Sequence, residues 1–111
     1  MPVISASTFA ALREMAGGDL IDDLIDAFLE DAPRMIAAMQ AGMEAQDVDA
    51  VRRNAHSMKS NADTFGATAL SAVAREVEMR ARAGDLDVGG PLADLRESCR
   101  AASDELRGMR R

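Results

Sequence analysis

Tryptophan and tyrosine are absent from these 111 residues, and only three phenylalanines are present. β-Branched residues are scarce too, and every long segment has a helical rather than a strand period, so the fold is expected to be all-α. A single cysteine, Cys99, excludes an internal disulfide. No apolar run approaches ~18 residues or resembles a signal peptide, which points to a soluble chain in a reducing compartment, read as the cytoplasm, without a membrane partner. Nothing resembles a nucleotide-binding Gly-rich loop or a P-loop, so self-phosphorylation from ATP is not expected. Basic residues are spread among acids and the formal charge is -6, which excludes nucleic acid as a partner. The nearest thing to a basic cluster is Arg107, Arg110 and Arg111, expected to favour the last helix's C-terminus through its dipole or to fray. At 48% apolar content the chain supports one core, residues 1–111 as a single domain, with no room for a separate catalytic one.

What is present is a series of apolar stripes. A short helix over 7–15 has Ser7 or Ser5 as its N-cap, buries Phe9 and Leu12, and stops at Gly17-Gly18. The second, 19–46, is capped by Asp19 and turns Ile21, Ile25, Phe28, Ala32, Met35 or Ile36, Met39 and Met43 inward. Pro33 interrupts it, predicting a kink near Leu29 to Pro33 or a break into two collinear pieces; the stripe continues across, which favours the kink. The third helix, 47–64 with Asp47 as N-cap, buries Val48, Val51, Ala55, Met58, Ala62 and Phe65. Gly66 turns the chain into a fourth helix, 67–83, which buries Leu70, Val73, Ala74, Val77 and Ala81 and ends at Gly84. After a loop from Asp85 to Gly90, a last helix over 91–109 starts with Pro91 in its first turn and buries Leu92, Leu95, Cys99, Ala102, Leu106 and Met109. Cys99 on that stripe reads as inert core. Short connections favour antiparallel neighbours, giving an up-down four-helix bundle with a short additional N-terminal helix.

The chain's one histidine, His56, stands one position off the apolar stripe of the third helix. A turn of about 100° from Ala55 places it with Asp49, Arg52, Arg53, Lys59, Ser60 and Asp63, so the imidazole is offered to solvent among charges. A mostly neutral exposed ring has one nitrogen free as nucleophile or metal ligand. Metal binding is the weaker option: there is no second histidine, and Asp49 and Asp63 are each two turns away. Nucleophilic chemistry needs less. Lys59 at i+3 places an ammonium beside anything anionic on the ring, and Ser60 at i+4 is small enough to let a partner approach, a combination that suits a phosphoryl group.

His56-Ser57-Met58-Lys59-Ser60-Asn61, followed by Gly66-Ala67 and Leu70, resembles the signature of the histidine-containing phosphotransfer (HPt) family. Phe28-Leu29-Glu30-Asp31-Ala32-Pro33 resembles the family's second helix, and Val77-Glu78 with Arg82-Ala83-Gly84-Asp85 the end of the helix after the turn, so the likeness covers nearly the whole chain. It implies a four-helix bundle whose histidine accepts a phosphoryl group from a receiver-domain aspartate and passes it to another receiver. It implies response-regulator receiver domains and a hybrid histidine kinase as partners, no cofactor here, and Mg²⁺ in the receiver. By the same resemblance Lys59 steadies the phosphoryl group and Glu78 hydrogen-bonds the imidazole. Ser60 departs from the glycine common there, a small change that alters access.

Glu78 also has a role that follows from the hairpin. Twelve residues separate it from Gly66 and ten separate Gly66 from His56, so at ~1.5 Å per residue the two sit at nearly one height. A carboxylate accepting from the ring Nδ1–H fixes the tautomer and leaves Nε2 as the phosphorylated atom. The same carboxylate is also within reach of Arg75 at i−3 and Arg82 at i+4. The phosphoryl oxygens are served by Lys59, with Arg52, Arg53 or Arg82 as further candidates. A partner is expected to cover His56 with an apolar patch from the first helix and the outer sides of helices two and three; the eight methionines are mainly core, and exposed ones near the site would mark an adaptable docking surface. A shared surface at His56 conflicts with transfer, so a monomer is expected. The alternative function is a helical docking module that binds receivers or kinases without carrying phosphate.

Overall fold

Five helices run through residues 3–110, those that the computed structural model describes: α1 Ala6–Ala16, α2 Gly18–Glu44, α3 Val48–Phe65, α4 Thr68–Arg82 and α5 Gly89–Met109. α2 to α5 close an up-down ring in which each packs on the next and α5 returns to α2, while α1 packs on α2 and α3. The core is where the stripes put it. Ile21, Ile25, Phe28, Ala32, Met35 and Met39 of α2 are buried, as are Val51, Ala55, Met58, Ala62 and Phe65 of α3, with Phe28 and Phe65 edge to face at 5.5 Å between ring centres. Leu12, Ile36, Met43, Val48, Val73 and Met109 are only partly buried at its margin. Cys99 is buried, and that burial pushes its thiol pKa up, away from reactivity.

Helix boundaries carry most of the differences from the expected pattern. Asp19 does not cap α2. Gly17, with φ +85°, both closes α1 by donating its N–H to the Arg13 carbonyl at 2.8 Å and stands at the N-cap of α2, which leaves Asp19 inside the first turn, where its charge suits the helix dipole. α2 is one unbroken helix across Pro33, so the two-piece alternative does not occur. The proline ring faces solvent, and the buried stripe on either side holds the helix together despite the missing N–H. α2 also ends earlier, at Glu44, because Gln46 takes φ +57° in the turn that follows. Asp47 then caps α3 by accepting from the Ala50 N–H at 3.1 Å, and Ser5 rather than Ser7 caps α1 through the Thr8 N–H. α5 starts at Gly89, so both Gly89 and Gly90 are helical and Pro91 remains within the first turn.

Two features had no periodic signal. Ahead of α1, the Val3 and Ile4 N–H groups donate to the two carboxylate oxygens of Glu105 at 2.8 and 3.1 Å, and the Ser5 N–H donates to the Gly66 carbonyl at 2.8 Å. Ile4 is thereby fully buried as a strap joining α5 to the α3–α4 turn. Leu86 and Val88, in the α4–α5 connection, are also core. Among the terminal arginines, Arg110 ties α5 to α2 by a two-pronged contact with Asp26 at 2.5 and 2.8 Å, and Arg107 pairs with Asp104. Arg111 lies outside the described residues. No described helix is long and apolar enough to cross a membrane.

Candidate functional site

α3 and α4 make the most extensive contact in the bundle, and the residues on their inner faces explain why. Ala55 and Ala62 of α3, with Ala74 and Ala81 of α4, are fully buried and lack bulk, so the two backbones approach closely. Gly66 makes the turn between them at φ +78°, a conformation that costs an L side chain roughly 1–2 kcal/mol. A Cβ there would also meet Thr8 Cβ at 2.8 Å. A tight turn and a close seam fix the register of the hairpin, and register decides which α4 side chain faces His56.

That side chain is Glu78. Its Oε2 lies 2.8 Å from His56 Nδ1 and 3.0 Å from an Arg82 terminal nitrogen, while Lys59 Nζ is 4.0 Å from Oε1. Glu78 is the buried charged side chain among the described residues, at 7% side-chain exposure. Burying a carboxylate is costly unless it is paired, and here three cationic or protonatable groups surround it. A carboxylate only accepts, so Nδ1 carries the ring proton, and the lone pair of a neutral imidazole is left on Nε2. The His56 side chain is 55% exposed, so the ring is anchored at one nitrogen and open beyond.

His56, Lys59, Arg75, Glu78, Met79, Arg82 and Ala83 line an open groove of about 620 Å³. Lys59 and Glu78 are therefore brought to His56, and Ser60 is exposed on α3 one turn away. Arg52 and Arg53 are not in this groove. Arg52 faces Asp49 at 3.7 Å and Arg53 donates to the Asp49 carbonyl, both back toward the start of α3. Of the two arginines in reach of Glu78 on its own helix, Arg82 takes it, alongside His56 rather than instead of it, because Oε2 has room for two donors. Met79 and Arg75 as groove residues were not foreseen. Their signal was present in the period of α4, which puts positions 75, 78, 79 and 82 on one face.

The family model for the Hpt domain matches residues 23–109, most of the chain. This chain belongs to the Hpt domain family. The Hpt domain is the phosphoryl carrier of phosphorelays, and the chain is a histidine phosphotransfer protein of that kind. The phosphorelay protein LuxU of Vibrio vulnificus, from strains YJ016 and CMCP6, is 28% identical over 85 residues, which are 77% of this chain and 74% of LuxU. Among solved structures, histidine-containing phosphotransfer protein B (HptB) of Pseudomonas aeruginosa PAO1 superposes with a TM-score of 0.91 at 24% identity, over 98% of this Hpt domain and 95% of HptB. That likeness establishes the shared fold, an HPt helical bundle.

Proposed function

We propose that His56 is the phosphoacceptor, that Glu78 holds its ring, and that Lys59 and then Arg82 balance the charge of the phosphoryl group. The observation that supports this most is the 2.8 Å contact between His56 Nδ1 and the buried Glu78 carboxylate, in a chain with one histidine. In the forward step the Nε2 lone pair attacks phosphorus of a receiver's aspartyl phosphate, the P–N bond forms, and the acyl P–O bond breaks with its electron pair on the departing aspartate. The ring keeps its Nδ1 proton and becomes a cation, whose charge faces Glu78. In the onward step a second receiver's aspartate attacks phosphorus and the neutral imidazole leaves, so no proton has to move in either direction. Positioning and charge neutralisation are most of what phosphoryl transfer requires, and the metal belongs to the receiver. Ser60, small and exposed, leaves the approach to Nε2 open.

In this reading the chain works as one unit and as a monomer in the cytoplasm. Its partners are response-regulator receiver domains and a hybrid histidine kinase, and it does not phosphorylate itself from ATP. The test is transfer from a panel of phosphorylated receiver domains to the wild-type chain and to His56→Gln, followed by acid and base treatment of the label. Label on wild type alone, lost in acid and kept in base, is expected. Absence of transfer from every receiver, with tight binding to one of them, would replace this reading by that of a docking module.

A further inference from the structure

Met15, Leu20 and Met79 are the large apolar side chains that stand exposed among the described residues, at 85, 50 and 57%. Met15 and Leu20 flank the α1–α2 corner; Met79 lines the groove that holds His56. The same groove has three cations, Lys59, Arg75 and Arg82, against one carboxylate that is itself buried, in a chain whose formal charge is -6. Arg75 has no ion-pair partner among the described residues. On the other flank of α3 the groove is different: it is lined by Asp31, Arg34, Asn54, Ser57 and Asn61 with Met35 and Ala38, one acid against one base, and its methionine is buried. The two flanks of the histidine helix therefore offer a partner unlike surfaces.

A donor or acceptor receiver brings strong negative charge to His56. Its reacting group is a carboxylate or an acyl phosphate, and holding Mg²⁺ beside it takes further oxygen ligands, chiefly carboxylates. Resting on the phosphoacceptor reading above, we infer that the outer face of α4, with Met79 at its centre and Arg75 and Arg82 beside it, is a docking wall for the aspartate-bearing face of the receiver. The arginines lie where the partner's charge concentrates and speed encounter. Met79, unbranched and polarizable, fills whatever apolar depression lies beside the receiver's acidic pocket, and one such contact serves several receivers because the side chain repacks. This extends the covered surface to α4, beyond the α1, α2 and α3 faces that patterning suggested.

The experiment compares wild type with Met79→Glu, Met79→Leu and Arg75→Glu. Each is phosphorylated from a phosphorylated receiver chosen from the panel, and separately from phosphoramidate, a small donor with no docking surface. Met79→Glu is expected to lower kcat/KM for the receiver about tenfold or more, mainly through KM, and Arg75→Glu several-fold. Met79→Leu should stay near wild type, and labelling by phosphoramidate, which needs no docking surface, should fall far less than receiver transfer in Met79→Glu and Arg75→Glu, which also reports that they fold. Receiver transfer to both Met79→Glu and Arg75→Glu at the wild-type kcat/KM would overturn the docking wall while leaving the phosphoacceptor intact. Failure of wild type to take an acid-labile label from either donor would overturn both.

Discussion

Between α3 and α4 one carboxylate, Glu78, is 7% exposed and gathers partners from two helices, whereas along α5 the carboxylates of Glu97 and Asp104 are more than half exposed and pair with Arg100 and Arg107 on their own helix. The residue types are nearly the same. What separates the two regions is solvent. In the seam, low dielectric strengthens each contact and makes an unpaired partner expensive, so geometry there is enforced. On α5 water and salt screen the pairs, and helix neighbours at i+3 or i+4 meet whether or not anything depends on it. A network of charge is informative about function when it is buried and crosses elements, and says little when it follows from helical spacing.

The comparison can be broken at its strongest point first. Glu78→Ala is expected to slow receiver-dependent phosphorylation of His56 about 10–100-fold, on the scale seen when the carboxylate partner of a metal-bound histidine is removed, while helix content is retained. Glu78→Gln keeps an acceptor opposite Nδ1 and should recover much of the rate; wild-type kinetics in the alanine variant would mean that the carboxylate serves packing alone. Next comes the turn that sets the seam. Gly66→Ala puts a side chain at φ +78° against Thr8 and is expected to lower stability by about 2 kcal/mol in denaturant titration, and an unchanged midpoint would show that the turn relaxes freely.

The smallest effect belongs to α5. The Arg100 guanidinium, hydrogen-bonded to Glu97, holds that carboxyl below its usual range. A carboxylate depressed in the folded state contributes stability above its unfolded pKa and loses it as pH falls through the folded one. Melting curves of wild type and Arg100→Ala should therefore differ slightly at pH 7 and converge as the pH falls through the lowered pKa of Glu97. A gap that widens on acidification would contradict the assignment.

Much of this fold is legible in the sequence because helices repeat. The stripes through Ile21 to Met39, Val51 to Phe65 and Leu92 to Leu106 mark their buried faces without reference to anything distant, and counting from Gly66 puts Glu78 level with His56. Ile4, Leu86 and Val88 were not legible, since a buried residue in an aperiodic segment has no neighbours at three and four to announce it. Asp19 misled for a local reason: a good capping residue lay two positions past the glycine whose positive φ begins the helix. Arg110 was read as serving its own helix end because spacing rules see only i±3 and i±4, whereas its partner, Asp26, is 84 positions away. The groove's Met79 and Arg75 follow from period, but their meaning depends on what the finished bundle leaves uncovered.

The strap ahead of α1 has a consequence in time. Val3 and Ile4 are anchored by Glu105, more than 100 positions later. At synthesis rates of about 5–20 residues per second, roughly 5–20 s pass between the making of Ile4 and the making of that anchor. The hairpin bearing His56 is made well before then, so the strap can close onto the last helix only after the segment that positions the histidine has been synthesised.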